Sequence, residues 1–212
     1  MAAKQIWIPM GDFQLEGELY VPDEQPRLPS AVLGHPHPAY GGDMDNDVIR
    51  IIFDGLRERG RAVLRFNFRG VGKSGGSSGS DAVEDMEAAV DYLAKVTGTE
   101  TRKVAIVGYS YGAAVGCTAF ASNSSIGSFV GVAPPLALAD LSALERCGRP
   151  VYLICADGDD YCPVPRAEQL IEECGTPKGL AIVPGADHFL RGVEEAVAAQ
   201  VELFLAEANR TE

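Results

Sequence analysis

The stretch Gly108-Tyr109-Ser110-Tyr111-Gly112 places a serine between two glycines, and it is the part of this sequence best suited to chemistry. A serine hydroxyl is a weak nucleophile alone. It needs a base within hydrogen-bond reach and a third group to orient that base. The chain holds three histidines, His35, His37 and His188. Only His188 lies downstream of Ser110, and it follows a strand-like run at 180–183 through the loop Pro184-Gly185-Ala186-Asp187. A lone histidine after a strand is more often structural, but this one alone stands where a base would follow a serine and an acid. Candidates for the acid crowd the loop after the strand-like run Val151-Tyr152-Leu153-Ile154-Cys155, where Asp157, Asp159 and Asp160 compete. Carboxylates in such a loop are mostly just solvated. Asp187 is set aside, because a sequence neighbour seldom folds back onto the outer ring nitrogen of His188. Together these residue types suit attack of a serine oxygen on an acyl carbon, with His188 carrying the proton.

The elements around them must hold the serine out for attack. Val104-Ala105-Ile106-Val107 is β-branched and apolar, which predicts a buried strand. The small residues at 113–121 suit a helix. Strand, G-x-S-x-G, then helix is the context of a nucleophile elbow. Its turn is so tight that Ser110 must take a strained backbone conformation, while Gly108 and Gly112 leave room where a Cβ would clash. Upstream, Ile6-Trp7-Ile8 and the alternating run at 13–20 predict an antiparallel opening pair. From Ala31 onward strands and helices alternate. The pattern predicts a helix at 47–59, a strand at 62–68, and a helix at 81–96 with an apolar stripe through Val83, Met86, Val90 and Leu93. It continues with a strand at 129–133, a short helix near 138–146, and helices near 165–174 and 193–209. The sum is about eight strands, mostly parallel, with helices on both faces.

These residues resemble those of the α/β-hydrolases, and more closely a compact bacterial-type subgroup of serine hydrolases related to dienelactone hydrolase-like enzymes. The resemblance rests on Gly34-His35-Pro36-His37-Pro38 with Tyr40-Gly41-Gly42, and on Leu64-Arg65-Phe66-Asn67-Phe68-Arg69-Gly70-Val71-Gly72-Lys73-Ser74. It continues in Gly108-Tyr109-Ser110-Tyr111-Gly112 and Pro184-Gly185-Ala186-Asp187-His188-Phe189. It implies an α/β-hydrolase fold over a single domain, residues 1–212. In the family the acid lies in a G-x-x-D-like segment with a proline four residues after the aspartate. Asp159 has that spacing to Pro163, with Ala156 where the glycine stands; Asp160 stays open as the alternative. Many relatives insert a lid between the sixth and seventh strands, where this chain has only residues 134–150. The expectation is no cap domain and an open, shallow site. Its substrate walls would be Tyr40, Tyr111, Pro135, Leu136, Tyr161 and Leu190, suited to short acyl groups.

In this fold a second oxyanion donor comes from the loop after the third strand, here Ser30-Ala31-Val32-Leu33-Gly34. Proline has no amide hydrogen, so within Pro36-His37-Pro38 only His37 can donate. The amides of His37 and Tyr111 are therefore assigned to the oxyanion hole, each worth roughly 10²–10³ in rate. A metal held by His35 and His37 lacks a third ligand, so neither metal nor cofactor is expected.

Composition sets the outer bounds. A chain of 212 residues with 46% hydrophobic content can bury a full core. No apolar run approaches a membrane span, and Met1 to Gln5 opens no signal-peptide pattern. The net charge of −12 argues against a nucleic-acid partner. Five cysteines without C-x-x-C spacing fit reduced thiols and a cytoplasmic location; oligomeric state is left open. Gly70-Val71-Gly72-Lys73-Ser74 looks like a phosphate loop, but Asn67 stands where a glycine is needed, so a structural turn is preferred. Asp43, Asp45, Asp47 and Asp54 have the spacing of a calcium loop, with Val48 replacing its glycine. The leading expectation is hydrolysis of a small ester, thioester or related acyl bond through an acyl-enzyme, with a small-molecule acyl substrate. Acyl transfer and small-peptide cleavage are the enzymatic alternatives. A non-catalytic small-molecule sensor is the alternative of another class.

Overall fold

Runs of valine and isoleucine without polar interruption suit strands covered on both faces. Five central strands are buried at every position, β4 even at its Arg65: β3 (Ser30–Gly34), β4 (Val63–Phe66), β5 (Val104–Tyr109), β6 (Ser128–Val132) and β7 (Val151–Ala156). β1 (Lys4–Pro9) alternates between exposed and buried, as an edge strand with one wet face must. β2 (Gln14–Tyr20) lies between it and the parallel part, and β8 (Lys178–Val183) is the half-buried opposite edge. These observations come from a computed structural model that describes residues 2–23, 30–79, 81–100, 103–175 and 178–208.

The eight strands form one sheet in the order β1-β2-β4-β3-β5-β6-β7-β8. β1 and β2 pair antiparallel, as do β2 and β4; every later pair is parallel. Register aligns Gly34 of β3 with Gly108 of β5, and Tyr109 with Val132 of β6. The carboxyl ends of these strands therefore share one edge, where ligands of open α/β sheets gather.

Helices cover both faces. α1 (Asp47–Glu58) buries Val48, Ile49, Ile52, Phe53 and Leu56 on one stripe, and α5 (Glu194–Ala208) joins it on the same face through Val197, Val201, Phe204 and Leu205. α2 (Ala82–Thr97), α3 (Tyr111–Ser122) and α4 (Val164–Glu173) pack on the other face through Met86, Leu93, Phe120 and Leu170. Arg61, fully buried, ties the end of the α1 turn to Glu202 of α5 by two hydrogen bonds of 2.7 and 3.1 Å.

Among the described residues, the sequence pattern and the structure differ chiefly at two places. The strand predicted at 62–68 stops at Phe66, because the next two amides leave the ladder: Asn67 N–H donates to the Glu16 carbonyl and Phe68 N–H to His35 Nε2. The short helix near 138–146 is a turn followed by a 3₁₀ segment, Ser142–Arg146, where Asp140 accepts from the Ser142 amide and offers the backbone a turn instead of a helix. Position 209, the predicted end of the last helix, lies outside the described residues. Between β6 and β7 there is, among the described residues, no helical insert beyond that 3₁₀ segment.

Candidate active site

Ser110 is where β5 turns sharply into α3. Its φ is +52°, a left-handed conformation that strains any residue with a Cβ. The turn closes only because its glycines lack side chains: a Cβ on Gly108 would strike the Gly112 carbonyl, and one on Gly112 the Gly34 carbonyl. The Ser110 amide donates to the Val132 carbonyl of the adjacent strand at 2.9 Å, which pins the strained residue.

His188 lies on the loop between β8 and α5, its Nε2 2.8 Å from Ser110 Oγ. Its Nδ1 lies 2.8 Å from Asp159 Oδ2. A carboxylate only accepts, so the ring proton sits on Nδ1, and Nε2 is free to accept from the serine hydroxyl. The Asp159 side chain is fully buried. Its other oxygen accepts from the amides of Tyr161 at 2.8 Å and Cys162 at 3.0 Å, so both carboxylate oxygens are satisfied. Asp160 is exposed and does not cap α4, whose N-terminal flank, Pro163, carries no side-chain cap. Asp187 accepts from the Phe189 amide at 2.9 Å, and the ring nitrogen Nδ1 of His188 is taken by Asp159.

Several supports gave no signal in the sequence. Asp157 accepts from the Gly185 amide at 2.8 Å, and Gly158 N–H donates to the Ala186 carbonyl at 3.0 Å, so the acid loop grips the histidine loop. The buried Tyr109 hydroxyl donates to the His188 carbonyl at 2.9 Å; burial first, then the nearby Asp159 charge, pushes its phenol up. Cys155 on β7 and Cys162 on the loop touch through their sulfurs at 2.9 Å, closing the base of the acid loop. Their common signal was adjacency to the predicted triad, which says nothing of partners.

The loop after β3 carries two histidines with different tasks. His35 is fully buried, with Nδ1 donating to the Pro36 carbonyl at 2.7 Å and Nε2 accepting from Phe68 N–H at 3.2 Å. Burial pushes its pKa down to about 4, against the favourable bond to Pro36. It is a neutral brace with no nitrogen left for a metal. His37 is exposed; its ring packs against Tyr111 at 4.8 Å and Tyr40 at 5.5 Å. Among the described residues, neither the His37 amide nor the Tyr111 amide donates to a protein acceptor.

The expected walls divide. Tyr40 is 89% exposed, Tyr161 is 45% exposed and Tyr111 is half-buried. Leu190 is a correction: it is fully buried in the apolar layer beside α5, because φ of +55° turns the chain inward there. Pro135 and Leu136 are buried as well, with Leu136 in the layer beneath α3 and α4. Phe189 was missed, and at 55% exposed it stands in the open next to His188. A surface hollow of about 530 Å³ borders Leu136, Asp140, Arg166 and Glu173, but neither Ser110 nor His188 lines it.

The phosphate-like turn after β4 holds the chain's own anion. Glu16 accepts from Lys73 N–H at 2.8 Å and from Asn67 Nδ2 at 3.0 Å. The calcium-like aspartates are ion-paired or bonded locally: Asp45 to Arg65, Asp47 to Arg50, Asp54 to Arg57 and Asp43 to the Asp45 amide.

Comparison with known proteins agrees with this fold. The profile of the alpha/beta hydrolase fold matches residues 37–150. An uncharacterized protein of Rickettsia prowazekii is 30% identical over 211 residues, covering 95% of this chain and 88% of that one. An alpha-beta serine hydrolase homologue from Coxiella burnetii superposes with a TM-score of 0.83 at 26% identity, over 98% of both chains. A serine hydrolase without a lid from Xanthomonas campestris gives 0.82 at 25% identity, over 97% of this chain and 94% of that one.

Proposed function

The chain belongs to the alpha/beta hydrolase fold family, and from that premise we propose that it cleaves a small ester, thioester or related acyl bond through an acyl-enzyme on Ser110. The observation that carries the reading is the relay of two 2.8 Å contacts from Ser110 Oγ to His188 and from His188 to Asp159. In the first half-reaction Ser110 Oγ bonds to the acyl carbon while its proton passes to His188 Nε2. The bond from that carbon to the leaving oxygen or sulfur then breaks, and the leaving atom takes the proton from Nε2. In the second half water bonds to the acyl carbon and loses its proton to Nε2. The bond from that carbon to Ser110 Oγ then breaks, Oγ takes the proton back from Nε2, and the carboxylic acid departs. Asp159 holds the tautomer and stabilises the imidazolium that forms within each half.

The tetrahedral oxyanion is received by the amides of His37 and Tyr111, which have no other acceptor among the described residues. The remaining details are of one piece with this reading: one domain across the chain, a small-molecule acyl substrate, a cytoplasmic location, and finer kinship with dienelactone hydrolase-like enzymes. Among the described residues no helix is long and apolar enough to cross a membrane. The test is turnover of a graded ester panel by wild type and Ser110→Ala. The variant should keep its melting temperature and lose roughly 10⁴–10⁶ in kcat. A variant that still turns over at the wild-type rate would overturn the reading.

A further inference from the structure

Two aromatic side chains, Tyr161 and Phe189, stand against the His188 imidazole that serves the departing group. Tyr161 follows Asp159 on the acid loop with its backbone held at both ends: its N–H donates to Asp159 Oδ1 at 2.8 Å, and its carbonyl accepts from Ala137 N–H at 2.9 Å. Its ring centroid lies 4.8 Å from that of His188, yet the residue is 45% exposed. Among the described residues no protein group bonds its hydroxyl. Phe189 is 55% exposed, with its ring 6.0 Å from the same imidazole, and the Arg191 guanidinium stands 5.4 Å from the Phe189 ring centre. Neither ring is buried by the fold, so both keep apolar area that a ligand can cover.

Resting on the hydrolase reading above, we infer that Tyr161 and Phe189 form the leaving-group subsite, and that the alcohol released there is of the arylmethyl type. The geometry of proton transfer sets the side. His188 Nε2 gives its proton to the departing oxygen, so the alcohol leaves beside the imidazole, and the exposed surfaces against that imidazole are Tyr161 and Phe189. The chemistry of the surface sets the class. Rings with centroids about 4.5–7 Å apart gain edge-to-face or offset contacts beyond simple area burial, which a saturated ring of the same size does not. In the step itself the bond from the acyl carbon to the arylmethyl oxygen breaks, and its electron pair stays on that oxygen. The oxygen takes the Nε2 proton and departs as the neutral alcohol, leaving the acyl group on Ser110 Oγ. Water completes the turnover, so ester plus water gives acid plus arylmethyl alcohol.

The experiment compares kcat/KM for benzyl acetate and cyclohexylmethyl acetate, which share the acyl group and the size of the alcohol. Wild type should prefer the benzyl ester by about threefold to tenfold. Tyr161→Leu should bring the ratio close to unity, Phe189→Leu should lower it partway, and Tyr161→Phe should keep it. A wild-type ratio at or below unity, or a preference that survives both leucine variants, overturns the subsite. Fluorophosphonate labelling of Ser110 is run in parallel to separate the two readings. An enzyme that labels but lacks the benzyl preference, or cleaves neither ester, overturns this inference alone. One that neither labels nor cleaves overturns the hydrolase reading and the subsite with it.

Discussion

Two glycine-rich turns leave strands of the same sheet, one after β4 and one after β5, and they use their backbone donors in opposite ways. After β4, the turn around Gly70 to Ser74 is closed from inside. The Glu16 carboxylate takes the Lys73 amide, and the Ser74 hydroxyl accepts from the Glu16 amide and donates to the Asn67 carbonyl. After β5, the Tyr111 amide faces no protein acceptor among the described residues, and Ser110 is held at φ +52°. A loop whose donors are answered by its own chain is architecture. One that keeps strain and an unanswered donor is ready for a ligand's charge. The glycine pattern alone does not tell these turns apart, whereas a census of hydrogen bonds does.

After the loss of Ser110 itself, the largest effect should come from the acid behind the open turn. Asp159→Asn favours the wrong imidazole tautomer and should lower kcat by up to about 10⁴ in an ester assay, with the melting temperature little changed. Gly112→Ala tests the packing of the elbow itself. Its new Cβ would strike the Gly34 carbonyl, so urea denaturation should show a loss of about 3 kcal/mol or more.

His35 braces the loop after β3 against the turn after β4, bonding the Pro36 carbonyl in the one and the Phe68 amide in the other. Its native pKa of about 4 lies below the ordinary 6.5, so between these values the unfolded chain binds the proton first. Stability should therefore fall by about 3 kcal/mol as pH drops from 6.5 to 4, and His35→Gln should flatten that slope. Glu16 adds a lower window. Burial opposes its ionisation, but the Lys73 amide, the Asn67 side chain and the Lys73 charge overcome that and lower its pKa below the ordinary 4.5. Its stabilisation is whole above 4.5 and fades as pH falls through the lowered native value.

Glu16→Gln should sharpen the contrast between the turns by costing about 2 kcal/mol of stability while kcat/KM stays near wild type. Asp160→Asn should do least, within about 0.5 kcal/mol and without loss of turnover, since the side chain is exposed and caps nothing. A crippled Asp160 variant beside an active Asp159 variant would reverse the assignment of the acid.

Much of the frame is legible in sequence because it is periodic. The apolar runs that became β5 and β7 and the stripe of α2 mark themselves by spacing. Ser110 and His188 are legible because few alternatives exist: of three G-x-S-x-G matches only the one at Ser110 runs directly from a strand into a helix, and a single histidine lies downstream of it. What escapes is whatever depends on which way a loop residue turns. Leu190 reads as a site wall, yet its positive φ buries it, while Phe189 beside it faces solvent. Asp157 and Asp160 look alike in sequence and both are exposed, but only Asp157 grips the Gly185 amide. Spacing cannot carry such information, because neighbours on an irregular loop share no common face.

The most direct test of the central claim, that the open turn after β5 holds an activated serine, is the rate and site of fluorophosphonate labelling read by intact mass and peptide mapping. Wild type should take up a single adduct on Ser110, Asp159→Asn should label far more slowly, and Glu16→Gln should label at the wild-type rate. An adduct mapped to another residue, or labelling of Ser110 that ignores the loss of Asp159, would contradict the account.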